Sequence, residues 1–430
     1  MDRRKFLQST AALASVSVAA QTGLVNAQTE LDKRSEAYWQ TIIDQYDVAE
    51  GYNNLNAGHW GLMSIPVMEA YIENTRKVNR DYSLYVGSGK VVDPDRFGNY
   101  WQEADEVIAL LANKLNVGAD EIVLTRNISE SMQLLFAGYN KLKPGDSVIF
   151  TDTDYGSMQA EVKYLEDRRG AKVISVSVPD PVSYQGFIDF YEKVIKDNPT
   201  TKLMLLTHMS SRTGVIAPVK EIIEMAKSYG VTVILDVAHS WGQFDFDFGD
   251  FGADFAGFNL HKWIGAPLGL GLMYIRKDRI LDIDPKSGKG GKGNTEIKNR
   301  IQTGTINMPA VITVPKAIEF QDSIGIKHIG RRFRDLRNQW VNQMIDDDRF
   351  EALTPQDERM YAGITSFRFR AITSDEDYGK LHRTLLSKYK INASPYGGMR
   401  RGGAIRVSPA LYSSKADMDE LASALKDILG

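Results

Sequence analysis

Two runs decide how this chain is read: VTVILDVAH, residues 231–239, and GADFAGFNLHKWIGAPLGLGLMYIRK, residues 252–277. The first is a continuous β-branched and apolar stretch that closes on Asp236 and then His239. Strands buried on both faces of a parallel sheet read this way. The second carries one lysine, Lys262, between His261 and Trp263 in an apolar, glycine-rich setting. Lysine is seldom fully buried without a partner. Lys262 is therefore either a salt-bridged structural residue or an amine kept for chemistry.

Around these runs, strand and helix patterns alternate. EIVLT (121–125), SVIFTD (147–152), KVISVSV (172–178) and KLMLLTH (202–208) read as strands. WQEADEVIALLANKL, SESMQLLFAGYNKL, SMQAEVKYLEDRRG and VKEIIEMAKSYG read as helices, the third closed by glycine. This βαβα order predicts an α/β fold with a mostly parallel sheet and helices on both faces. Near residue 320 the pattern changes. IGRRFRDLRNQWVNQMI, TSFRFRAI, DYGKLHRTLLSKY, AIRVS and KADMDELASALKDIL suggest a smaller C-terminal α+β domain. The expected organisation is an export signal over 1–27, an N-terminal helix within 28–50, a large domain over 51–310 and a small one over 311–430. KSGKGGKGNTE (286–296) reads as a loop, and GSGK (87–90) as a plain turn.

Composition narrows the function. The chain has 430 residues, 43% of them hydrophobic, and a formal net charge of -3. That balance gives no electrostatic footprint for nucleic acid. Beyond the N-terminus no apolar run is long enough to span a bilayer. The count of cysteines is 0, which removes disulfides, thiolate metal sites and any thiol nucleophile. His208, His239 and His261 have no partner at metal-ligand spacing, so no metal is expected. The N-terminus, MDRRKFLQSTAALASVSVAAQTGLVNAQ, joins Arg3-Arg4, Phe6-Leu7, a weakly apolar run and a small-residue site ending at Ala27. It resembles a twin-arginine export signal, which implies transport of a folded protein by the twin-arginine machinery to the periplasm with no lipid anchor.

Ligands of doubly wound sheets bind at the carboxyl ends of the strands. The residues expected there are Thr125 to Ser129, Asp152 to Tyr155, Thr207-His208, Asp236 to His239 and Asn259 to Lys262. A lysine can form a Schiff base with an aldehyde cofactor. Pyridoxal 5'-phosphate (PLP) also needs a carboxylate at its ring nitrogen, backbone amides at a helix start for its phosphate, and a flat group against its ring. Asp236, the Asn127-Ile128-Ser129-Glu130 entry and Tyr155 are of the right types.

With NLNAGHWGLMSIPV, TRNISESMQLL, DTDYGSM, THMSSRTGVIAPVKEI, LDVAHSWGQF, NLHKWIG, QTGTIN and AIRVSPALYSS in this order, the chain resembles the class V aminotransferases of PLP fold-type I. Within them it is similar to the isopenicillin-N-epimerase-like branch. The resemblance implies roles residue by residue. Lys262 is the Schiff-base lysine and general base, and Asp236 faces the ring nitrogen. His239 lies near the phenolic oxygen or the phosphate, and Tyr155 stacks on the ring. Ile128, Ser129 and His261 surround the phosphate, Thr213 belongs to the cofactor-binding loop, and Thr305 reaches the phosphate from the second subunit of a homodimer. Arg406 takes the substrate carboxylate, with Arg400 and Arg401 as alternatives, while Asn56 and His59 line the substrate entrance.

The fold fixes the cofactor better than the reaction. Transamination is the leading expectation, on a small amino substrate. Epimerisation needs a second acid/base, for which His59, Tyr85 and Tyr361 are candidates. Elimination and a non-catalytic PLP-binding sensor are the other readings. A desulfurase with a cysteine acceptor is excluded by the absence of cysteine. Export joined to this family is similar to the periplasmic PLP enzyme of pyoverdine maturation, which implies a siderophore's glutamyl group as substrate.

Overall fold

The computed structural model describes residues 32–86, 94–286, 293–301 and 304–430. The readings of 1–27 and 87–90, and most of the 286–296 loop, fall outside these residues. A seven-stranded sheet forms the centre of the molecule. Its strands are β1 (Ile122–Thr125), β2 (Ser147–Thr151), β3 (Lys172–Val176), β4 (Thr201–Thr207), β5 (Thr232–Asp236), β6 (Phe255–Asn259) and β7 (Gly271–Ile275). Their spatial order is β1-β7-β6-β5-β4-β2-β3. β7 runs antiparallel to both of its neighbours, and every other pairing is parallel.

The helices before the sheet are α1 (Glu36–Ile43), α2 (Ile65–Val86) and α3 (Tyr100–Leu115). Those between its strands are α4 (Ile128–Gly138), α5 (Gly156–Lys163), α6 (Tyr184–Asp197) and α7 (Val219–Ser228). All five residues of β5 are buried, with Val233 and Leu235 in one core cluster and Ile234 in the other. α3, α6 and α7 cover the first face through Leu111, Tyr191 and Ile222, and α4 and α5 cover the second through Leu135 and Val162. Each of the buried Leu, Ile and Val side chains among these contributes roughly 1.5–3 kcal/mol relative to exposure.

The chain then runs through α8 (Met308–Ile324) and α9 (Ile326–Val341) into a four-stranded antiparallel sheet. Its strands are β8 (Phe350–Ala352), β9 (Thr365–Phe369), β10 (Ser394–Tyr396) and β11 (Ala404–Val407), in the order β10-β11-β9-β8. α10 (Asp375–Tyr389) and α11 (Lys415–Leu429) complete this unit. Trp340, Phe367, Tyr378 and Leu421 fill its core, together with Leu55 from far upstream. Asn53 and Asn54 pair in parallel with Ile391 and Asn392, so the segment that leads to the site starts on the small unit.

Local chemistry explains where the elements stop. β5 ends at Asp236 and does not continue to His239, because the Asp236 side chain accepts the Ala238 N–H at 2.8 Å and turns the chain. The helix expected over 157–170 breaks at Tyr164 into α5 and a short turn, Leu165–Arg169, closed by Gly170 at φ +66. α2 and α6 are helices that the strand-and-helix alternation did not single out.

Candidate active site

The carboxyl ends of the sheet line up by ladder register. Thr207 pairs with Asp236 and Asp236 with Gly257; Thr125 and Asn259 both pair with Gly271. Over this edge opens a cavity of about 250 Å³. Lys262, Asp236, His239, His261, Tyr155 and His59 line it, and the Asn127–Ser129 start of α4 closes one side.

Lys262 follows β6 in a tight turn whose geometry is imposed by neighbours. Its carbonyl accepts the Gly265 N–H at 3.2 Å, and the Gly61 N–H donates to the carbonyl of His261 at 2.9 Å. A Cβ on Gly61 would lie 1.9 Å from the Lys262 carbonyl oxygen, so only glycine lets the entrance segment grip this turn. Burial pulls the amine down to about 8, helped by the charge of Arg406 and opposed by Asp236. Lys262 Nζ stands 3.1 Å from Nε2 of His239. Trp263 donates its indole N–H to Nδ1 of the same ring at 3.4 Å. Burial, then the charges of Lys262 and Arg406, hold His239 well below the usual imidazole range.

Asp236 is 3% exposed. Burial pushes its carboxyl upward against the Ala238 N–H and the charge of Lys262. Asn127 caps α4 by accepting the Glu130 N–H at 2.9 Å. The backbone N–H of Ile128 is committed to Asn259 Oδ1 at 2.9 Å, which leaves Ser129 as the residue of the first turn that offers its polar groups to the cavity. His261 donates from Nδ1 to the Leu270 carbonyl at 2.8 Å, which fixes the ring and leaves its other nitrogen for a ligand. Tyr155 is 43% exposed beside the cavity, with its ring free of the core.

Arg406, on β11, is 1% exposed. Its Nη1 donates to the Tyr396 hydroxyl at 2.9 Å and to the Ser211 carbonyl at 3.4 Å, and its Nη2 donates to Asn56 Oδ1 at 2.9 Å. A Cβ on Gly58 would meet its guanidinium carbon at 2.9 Å. Asn56 thus acts on Arg406, while His59 itself lines the lysine cavity. Burial, Arg406 and Lys262 lower the His59 imidazole. Arg400 is exposed, and Arg401 is paired with Glu351 and Asp180, so neither competes for the buried position.

Three expected residues stand elsewhere. Thr213 borders a neighbouring cavity, and its hydroxyl accepts the Val215 N–H at 3.2 Å as part of a turn. Thr305 is exposed and lines a separate surface cavity with Arg126 and Asn127; within one chain it does not reach Lys262. His208 points away, edge-on to Phe244, Phe246 and Phe251. Burial alone drives it to about 3, which makes it a neutral core residue. Two residues escaped the sequence reading. Trp263 orients His239. Ser211 lines the cavity, and its buried hydroxyl has no partner. The Nε of Arg406 is likewise buried and unpartnered. Buried polar atoms without partners are rare in folded proteins. The Ser211 hydroxyl is free for a ligand oxyanion in the lysine cavity, Arg406 is tied to the Ser211 carbonyl at 3.4 Å, and the whole set fits PLP with a carboxylate-bearing substrate.

The fold and this site define a PLP-dependent enzyme of fold-type I. Residues 68–421 match the family described as aminotransferase class-V, and the chain belongs to it. Isopenicillin N epimerase of Streptomyces clavuligerus is 26% identical over 348 residues, covering 77% of this chain and 84% of that protein. A probable cysteine desulfurase of Pyrococcus abyssi is 27% identical over 345 residues, covering 76% and 84%. The solved apo structure of a cysteine desulfurase from Thermococcus onnurineus NA1 superposes with a TM-score of 0.76 at 22% identity, over 90% of this chain and 97% of that one. The cofactor of this chain is pyridoxal 5'-phosphate.

Proposed function

We propose that the protein is an exported aminotransferase that acts on the amino group of an amino acid or an amino-acid-containing metabolite. The observation that supports it best is the Lys262 amine, held at about 8 beside Asp236. Such an amine holds its proton less tightly than an ordinary lysine, its free-base form grows as the pH rises toward about 8, and it returns a proton it has taken on the face from which it came. When bound, the cofactor supplies an electron sink for the carbon next to the substrate nitrogen. Asp236 holds a proton at the ring nitrogen, Tyr155 covers the ring, and Ser129 and His261 meet the phosphate. Arg406 and Ser211 hold the substrate carboxylate. Thr305 of the partner subunit completes the phosphate contacts in a homodimer. A cysteine acceptor for sulfur is absent from the whole sequence, which separates this chain from a thiol-dependent desulfurase.

One observation favours a second reading, epimerisation. Of the three candidate second bases, His59 lines the lysine cavity. Tyr85 instead donates to Glu103 at 2.8 Å, and Tyr361 accepts from Asn338 at 3.3 Å. The test is an absorption spectrum of the purified protein beside Lys262→Ala, each mixed with single amino acids and a 2-oxo acid acceptor. New 2-oxo acid with loss of the donor supports transamination. The D-amino acid without new 2-oxo acid would overturn it in favour of the His59 reading.

Export and pathway are part of the same proposal. Lysine substitutions at Arg3 and Arg4 should retain the protein in the cytoplasm, as fractionation would show; periplasmic protein in that variant refutes the twin-arginine route. For a pyoverdine-type substrate, a Lys262→Ala strain should leave the siderophore's glutamyl group unmodified. A normal siderophore from that strain removes the assignment. Among the described residues no helix is long and apolar enough to cross a membrane.

A further inference from the structure

Asp154 is 1% exposed, at the carboxyl end of β2 and immediately before Tyr155. One carboxyl oxygen accepts the Thr207 hydroxyl at 2.6 Å. The other accepts the Thr151 N–H at 2.7 Å and the Thr151 hydroxyl at 3.0 Å. Its backbone carbonyl accepts Gln159 Nε2 at 2.9 Å and Arg212 Nε at 3.1 Å. Thr207 is the hinge of this arrangement. It donates to Asp154, lines the lysine cavity, and pairs in the ladder with Asp236. Two buried carboxyls therefore flank one threonine at the floor of the cofactor site. The chemistry proposed above uses only Asp236. Strand-tying alone does not call for a carboxyl, because a buried ionisable group is costly where a neutral one would serve.

We propose that Asp154 is a positioning residue for the cofactor, acting through the Thr207 hydroxyl: it holds a second carboxyl behind Asp236 and so sets the charge that the cofactor's nitrogens meet. Burial pushes the Asp154 carboxyl up to about 7, the charge of Asp236 adds to this, and the three donors oppose it. Its proton exchanges with solvent, with no other group reduced or oxidised. The charged and titratable groups around it are Asp236 on β5, Tyr191 on α6, Arg212 after β4 and Asp152 on its own turn, and across the neighbouring cavity Arg400 and the Asp180–Arg368–Arg401 ion-pair cluster. Tyr191 is held well above its usual range by burial, so it stays neutral. Asp152 is occupied by the Val178 and Arg400 N–H groups. Asp154, pushed up to about 7, changes charge near neutral pH. Its ionised form raises the proton affinity of nearby nitrogens, as an opposite charge does.

The experiment is a pH titration of the holoenzyme's visible absorption band without any amino substrate. Asp154→Asn should move the midpoint to lower pH by roughly half a unit or more. Thr207→Val should move it the same way, because Asp154 without that donor keeps its proton over the range. Thr207→Ser, which restores the hydroxyl, should titrate as the wild type. An unchanged midpoint in folded Asp154→Asn or Thr207→Val overturns the proposal, and so does a shifted midpoint in Thr207→Ser. If Asp154→Asn fails to fold, the two Thr207 variants decide. No reaction is read, so this result and the aminotransferase assignment stand or fall separately.

Discussion

Replacing Gly61 with alanine tests whether the entrance segment sets the position of Lys262. The added Cβ would lie 1.9 Å from the Lys262 carbonyl oxygen, where ordinary contact begins at 3.4 Å. The two backbones must separate by about 1.5 Å, because neither is the free end of a side chain. The Gly61 N–H bond to His261 is strained in the same movement. Overpacking of this kind costs about 1–3 kcal/mol of stability, which a large domain survives. The reacting amine sits on the same turn, and a displacement near 1 Å costs on the order of 100-fold in rate. The assay is stopped-flow: the rate at which the cofactor band shifts on adding an amino donor, with thermal melting in parallel. Gly61→Ala should stay folded and slow roughly 100-fold. Gly379→Ala is the control, since Gly379 lies within α10 and its Cβ meets only the end of Arg383 at 3.6 Å. A wild-type rate in Gly61→Ala would show that the entrance segment does not position the lysine.

Other residues make separable predictions. Arg406→Gln should weaken amino acids by about 2–5 kcal/mol, since it removes one partner of a buried charge pair, and leave amines without a carboxylate unaffected; a comparison of KM values for the two classes decides. Asp236→Asn should keep the coloured cofactor and lose on the order of 100-fold or more in the rate of α-proton exchange, read by deuterium incorporation. Uptake of cofactor by the apoprotein should quicken from pH 6 toward about 8, as the Lys262 amine loses its proton, and then level off. The same depressed amine also acts on stability. In the folded chain it releases its proton near 8 against an ordinary 10.5, so apoprotein stability should rise across that window, and Lys262→Met should flatten the rise in a urea titration.

The sheet was legible because its central strands are apolar runs with polar ends, and because βαβ order leaves few topologies. Lys262 was legible because a lysine among apolar neighbours is unusual, and Asp236 because it closes an apolar strand, whereas Arg406 was reached through the family motif. Other features depend on contacts that no local pattern encodes. α6 is not one of these, since a serine cap at Ser183 and apolar residues at helical spacing were present in the chain and simply not singled out. β7 reads like any other apolar strand, and its antiparallel sense comes from the tight return after Lys262. Leu55 and Asn56 belong to the small unit through pairing with strands at the far end of the sequence. His208 and Thr213 share a motif with Ser211, yet only Ser211 faces the lysine. Successive residues after a strand diverge to opposite sides, and the motif does not state which side is the cavity.

The hydrogen-bond chain through His239 gives the site its protonation state by geometry. An indole N–H can only donate, so Nδ1 of His239 must accept from Trp263 and carries no proton. A neutral His239 then has its proton on Nε2, the atom 3.1 Å from Lys262 Nζ. An ammonium has three donors and no acceptor, so it cannot receive that proton. The contact is satisfied when Lys262 is a free amine, which accepts from Nε2–H. Burial lowers both groups toward this same state. Trp263, beside the lysine in sequence, thereby favours the nucleophilic form of its neighbour through a residue from the other decisive run. Trp263→Phe keeps the packing against Phe333 and removes the donor. It should raise the pH at which the amine becomes reactive toward the cofactor, and an unchanged profile in the folded variant would break this chain of inference at its first link.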